Sequence, residues 1–124
     1  MWTKEDLFKF MEEKTTKMVV VCKQKNNDYT GANQSPFANF EKIGHFGGSI
    51  EWGFLTRMSD KFSRICSFAQ NVELQVKDES VEDTLVDLAN YCLLFAAYLK
   101  SKREEEQSKR ATTGSAGNGT NNFV

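Results

Sequence analysis

At 124 residues, with a net charge of -1 from 16 basic and 17 acidic side chains, the chain has the length of one domain and no charge excess with which to wrap nucleic acid. Its three cysteines (Cys22, Cys66, Cys92) are odd in number, form no Cys-x-x-Cys pair and are joined by a single His. That excludes a zinc ribbon or a disulfide scaffold and reads as core thiols of a reducing compartment. The opening Met-Trp-Thr-Lys-Glu-Asp is too polar for a signal peptide, and no apolar run approaches the roughly 20 residues of a membrane span, so a cytoplasmic protein without membrane contact is expected.

Thr3 followed by Asp6 is a capping-box pattern, and Leu7, Phe10, Met11, Met18, Val21 and Cys22 recur at helical spacing, predicting a first helix from about Thr3 to Lys25. The β-branched run Val19-Val20-Val21 lowers its helix propensity, which leaves a break or a strand there as the alternative. Residues Asn26 to Ser35 are turn formers and predict a surface loop. Ser35-Pro36 then starts a short helix, with Phe37, Phe40 and Ile43 on its apolar side and Gly44, Gly47 and Gly48 at its end. His45 stands among those glycines and reads as a loop residue rather than a base.

Ser49 is placed to cap a third helix from about Ile50 to Gln70, with Leu55, Met58, Phe62, Ile65 and Ala69 as its buried stripe. The opposite row, Arg57, Asp60, Lys61 and Arg64, is either a solvated, salt-bridged face or a phosphate-facing one. Val72, Leu74 and Val76 alternate with polar residues, as in a short strand or an extended connector.

A fourth helix is predicted from about Ser80 to Lys102. It carries Asp83, Asp87 and Asn90 at i, i+4 and i+7 on one side, and Leu85, Leu88, Cys92 and Ala96 on another. Glu79, Glu82 and Asp83 need no special reason, since the macrodipole favours acids in a first turn. Asp87 and Asn90 lie deeper, where Asp and Asn are poor helix formers. Two carboxylates one turn apart repel by a few tenths of a kcal/mol, so a divalent cation or a basic neighbour is expected beside them.

From Arg103 on, the composition is charged and then rich in Thr, Gly, Ser and Asn, predicting a disordered tail over 103–124. The expected architecture is therefore all-α, a small bundle of about four helices over 1–102. Ten Phe and two Trp in so short a chain exceed what a small bundle can hide, so self-association is expected.

Four blocks in order, Lys25-Asn26-Asn27-Asp28-Tyr29, Pro36-Phe37-Ala38-Asn39-Phe40, Arg57 through Arg64, and Glu79 through Tyr91, resemble the nucleotide-modification-associated domain of phages and bacteria. That family is similar to the MazG-like all-α nucleoside triphosphate pyrophosphatases. The resemblance implies Mg²⁺ held by Asp60, Asp83 and Asp87, with Asp83 and Asp87 catalytic. Asp28, Tyr29, Asp60, Lys61, Arg64 and Asn90 are the expected ligand contacts on the chemistry of their side chains, with Lys61 and Arg64 suited to phosphate and Tyr29 to a base or sugar. The later acidic block of the family maps onto Asp87, but Thr84 stands where its Glu is expected, and the earlier block is replaced by Asp60-Lys61 and Arg64.

Three functions follow from these readings. The first is Mg²⁺-dependent hydrolysis of a nucleoside triphosphate or modified nucleotide, in the host cytoplasm if the chain is phage-encoded. The second is binding or sequestering of a nucleotide or nucleotide signal without cleavage. The third is a structural or assembly role without ligand, favoured if Asp83 or Asp87 pairs with Lys61 or Arg64.

Overall fold

The computed structural model describes residues 1–30, 35–42, 46–71 and 80–112, without the side chains of Tyr29 and Thr30. The described residues form four helices and no strand: α1 (Lys4–Thr30), α2 (Ala38–Glu41), α3 (Ile50–Gln70) and α4 (Ser80–Thr112). The all-α class expected from periodicity is the observed one. His45 and the stretch 72–79, including Glu79, lie outside the described residues.

The capping box at the start of α1 is made in both directions. The Asp6 amide donates to Thr3 Oγ1 at 3.1 Å, and the Thr3 amide donates to Asp6 Oδ2 at 2.8 Å. The Thr3 backbone, then its hydroxyl, hold the Asp6 carboxyl below the ordinary carboxylate range. Val19-Val20-Val21 stays helical. The helix also passes the expected end at Lys25 and takes in Asn26 to Thr30, where a loop was expected. Asn26 Nδ2 donates to the Pro36 carbonyl at 2.8 Å, so a side chain that would otherwise compete with its own backbone is engaged across the chain.

Pro36 and Phe37 form a turn ahead of α2, which starts at Ala38 rather than at Pro36. Gly47, at φ +80, turns the chain toward α3, and Ser49 Oγ accepts from the Trp52 amide at 3.3 Å as its cap. α4 does not end at Lys102 but reaches Thr112, ten residues into the stretch expected to be disordered, where charges pair one turn apart. Lys100 meets Glu104 at 4.0 Å and Lys109 meets Glu105 at 3.2 Å, and Lys109 and Arg110 suit the negative end of the dipole. The remaining tail, 113–124, lies outside the described residues.

α3 and α4 run antiparallel. Glu51 meets Lys102 at 3.2 Å near one end, Phe54 stacks on Phe95 at 4.8 Å, and Lys61 meets Asp87 at 3.2 Å further along. The backbone amide of Glu51 itself, then Lys102, hold the Glu51 carboxyl below its usual range, while the hydrogen bond to Glu51 raises Lys102. α2 wedges against this pair: Phe40 stacks on Phe54 at 3.9 Å and meets Tyr91 edge-on at 6.2 Å, and Phe37 meets Tyr98 at 5.5 Å. Lys14 shares a groove with Asp83, and Asn26 shares one with Ala97, so α1 runs in the same sense as α4.

The helical faces differ from those expected. On α3 the inward residues are Phe54, Met58, Lys61, Ile65 and Phe68, while Leu55, Phe62 and Ala69 are exposed. On α4 Asp87, Asn90, Tyr91, Leu94, Phe95 and Tyr98 are half-buried, while Leu85, Cys92 and Ala96 are exposed. All three cysteines are free thiols, and Cys92 is on the surface rather than in the core. Phe54, closed off completely, is the centre of the packing. Replacing Phe54 with Ala should cost about 3–5 kcal/mol, whereas Leu93→Ala, exposed on α4, should cost under about 1 kcal/mol. Urea denaturation followed by helical ellipticity checks this; equal costs would place the core elsewhere.

Candidate ligand site

Beside the aromatic stack, all four helices contribute to one small pocket of about 90 Å³. α1 supplies Cys22, Lys25 and Asn26, α2 supplies Asn39 and Phe40, α3 supplies Lys61, and α4 supplies Asp87, Asn90 and Tyr91. Phe40 and Tyr91 form the apolar wall through their edge-on contact, and the amides and charges ring the rest. Three carboxamides are an unusual density of groups that both donate and accept. Such a lining suits a ligand with mixed hydrogen-bonding edges, such as a nucleobase or a sugar.

Lys61 Nζ donates to Asp87 Oδ2 at 3.2 Å, with the two side chains 20% and 38% exposed. The basic neighbour expected beside the carboxylates is therefore Lys61. Asp83 faces a second groove, of about 300 Å³, shared with Lys14, Lys17 and Lys25 of α1. Lys25, Asp87 and Asn90 line both spaces, so the pocket and the groove adjoin.

The structure thus brings Lys61, Asp87 and Asn90 together and sets Asp83 beside them. It does not bring in the others. Asp60 borders an apolar groove with Trp52, Leu55, Phe62 and Leu88. Arg64 and Asp28 are exposed and line neither space, and the side chain of Tyr29 lies outside the described residues.

The Mg²⁺ set implied by resemblance, Asp60, Asp83 and Asp87, is accordingly not assembled. Among the described residues no three His, Cys, Asp or Glu side chains cluster as metal ligands, and Asp87 already has an ammonium partner. Mg²⁺ keeps several waters and takes one or two protein carboxylates; Asp83 and Asp87 share the groove beside α1, and Asp60 stands apart from them. The physical reason is helix phase: Asp60 precedes Lys61 by about 100° of helix rotation, so when Lys61 turns inward Asp60 turns to the outer face.

Sequence reasoning assigned no role to Lys25, Asn26, Asn39 or Tyr91, although all four fall within the blocks that carried the resemblance. The available signal was Asn39 between Ala38 and Phe40, an amide in apolar surroundings that needs a partner; Asn26, in a polar run, gave none. Comparison with protein-family models, curated proteins and solved structures gives no match to this chain. The site therefore rests on its own geometry.

Asp87→Asn keeps an oxygen that accepts from Lys61 while removing the charge. Because the pair is only partly buried, the variant should unfold with a loss of no more than about 1 kcal/mol. A much larger loss in chemical denaturation would make Asp87 a structural ion-pair partner first and a ligand group second.

Proposed function

We propose that this chain is a nucleotide-binding protein that holds its ligand in the four-helix pocket without a carboxylate-bound metal centre. One observation carries the reading: the amides of Asn26, Asn39 and Asn90, the ring of Tyr91 and the cations Lys25 and Lys61 converge on a single pocket. Amides suit the edge of a base or sugar, and ammonium groups suit phosphate. Hydrolysis of a nucleoside triphosphate is the alternative the resemblance implies, and it would use Mg²⁺ on Asp83 and Asp87, which border the adjoining groove. A structural role without ligand is favoured by one specific feature, the Lys61–Asp87 ion pair at 3.2 Å.

A panel of nucleotides, with and without Mg²⁺, separates the three by thermal shift and pyrophosphate release. Binding predicts a rise in melting temperature without release, since a ligand at 100 times its Kd stabilises by about 2.7 kcal/mol. Release in Mg²⁺ would make the protein a pyrophosphohydrolase. Neither response would leave the structural role.

The same reading includes a second copy of the chain. Leu55 and Phe62 on α3, and Leu85, Cys92 and Leu99 on α4, recur every two turns on the outward side. Trp52 is 67% exposed, Phe62 59% and Leu85 48%. With roughly 150–250 Å² per aromatic side chain, such a face leaves several hundred Å² of apolar surface in water, on the scale of one half of a stable interface. A second α3–α4 pair presents a matching surface, as a two-fold interface requires. Sedimentation should show a dimer at micromolar concentration, converted to monomer by Phe62→Glu; a monomeric parent protein would remove this part of the reading.

A further inference from the structure

We infer that the groove between α1 and α4 is a metal-independent phosphate subsite, which receives the phosphate chain of a nucleotide seated in the adjoining pocket. The inference rests on the nucleotide reading and adds where the phosphates lie and what holds them. The groove, of about 300 Å³, is lined by Lys14, Lys17 and Lys25 on one side and by Asp83, Asp87 and Asn90 on the other. Asp87 is engaged by Lys61. Among the described residues Lys17 and Lys25 have no carboxylate within 4.0 Å, and the Lys14 ammonium lies over the Phe10 ring at 5.6 Å. Three lysines thus line the groove, with Asp83 as its one carboxylate outside an ion pair among the described residues, and that surplus of positive charge suits an anion.

Spacing sets the kind of anion. Lys25 stands at the boundary between pocket and groove, and helix rise carries Lys17 about 12 Å further along α1. One phosphate beside Lys25 leaves Lys17 unengaged, whereas a chain of two or three runs from one ammonium to the next. Lysine binds phosphate as a point charge without a fixed bidentate geometry, so the row tolerates a flexible chain. Of the carboxylates that would carry a metal in this role, Asp87 is paired with Lys61 and Asp60 borders the outer groove, which leaves Asp83 alone beside the lysines, and the lysines supply the positive charge instead.

The test is calorimetric titration in EDTA with nucleosides, their mono- and triphosphates, and inorganic tripolyphosphate. The triphosphate should bind at least about tenfold more tightly than its nucleoside, an increment of about 1.4 kcal/mol, and the advantage should shrink as NaCl rises. Lys17→Ala should reduce that advantage several-fold and Lys17→Arg should retain it, with thermal melts checking that both variants fold. Nucleoside binding with no gain from phosphates, or an advantage unchanged in Lys17→Ala, overturns the groove and leaves the pocket standing. Tripolyphosphate binding without any nucleoside binding keeps the groove and removes the nucleotide reading. Failure of every probe to bind overturns both.

Discussion

Phe54 decides the arrangement of the rest of the molecule. Its ring is enclosed between Phe40 at 3.9 Å and Phe95 at 4.8 Å, and a side chain so placed fixes the rotation of α3 about its own axis. Lys61 lies about two turns further along the same face and must then point inward. The antiparallel partner is fixed by the same contact: with Phe95 against Phe54, Asp87 comes level with Lys61. The ion pair at the pocket and the exposed Leu55, Phe62 and Leu85 are two consequences of one packing choice.

That choice turns charge inward and apolar side chains outward, the reverse of ordinary partition. Drawing an ammonium partly out of water has a cost, offset here by the carboxylate of Asp87 at 3.2 Å and by the polar lining around it. The cost is modest because Lys61 and Asp87 keep 20% and 38% of their side-chain surface exposed. An open polar pocket therefore does for this pair what a fully closed core would not. It also leaves the amides of Asn39 and Asn90 able to exchange water for a ligand.

Helix starts were legible in the sequence because capping is local: Thr3 with Asp6, and Ser49 ahead of Trp52, involve groups three residues apart. Helix ends were less so. α1 continues through Asn26 because that amide finds Pro36 across the chain, and no local pattern announces such a partner. Helix phase was the deeper difficulty. α3 carries two apolar stripes sharing Met58 and Ile65, one through Phe54 and Phe68 and one through Leu55 and Phe62, and periodicity alone does not say which faces the core of its own chain. Choosing the second stripe put Lys61 and Asp60 together on an outer row; the structure separates them. Asp87 and Asn90 still stood out in the sequence as candidates, since polar groups deep in a helix needed partners under either phase, and Lys61 stood out as a cation of the charged row.

The two apolar stripes also explain how the outer face and the pocket coexist. The outer groove is lined by Trp52, Leu55, Met58, Phe62, Leu88 and Cys92, and none of these lines the pocket around Asn26, Asn39 and Asn90. α3 and α4 thus form a layer with a polar cavity on one side, covered by α1 and α2, and an apolar surface on the other. Burying the apolar surface against a second copy of the layer would add hydrophobic area to a core in which, among the described residues, Met18, Phe40 and Phe54 are the buried apolar side chains. It would do so without closing the pocket, and it would stiffen the helices whose relative rotation holds Lys61 against Asp87.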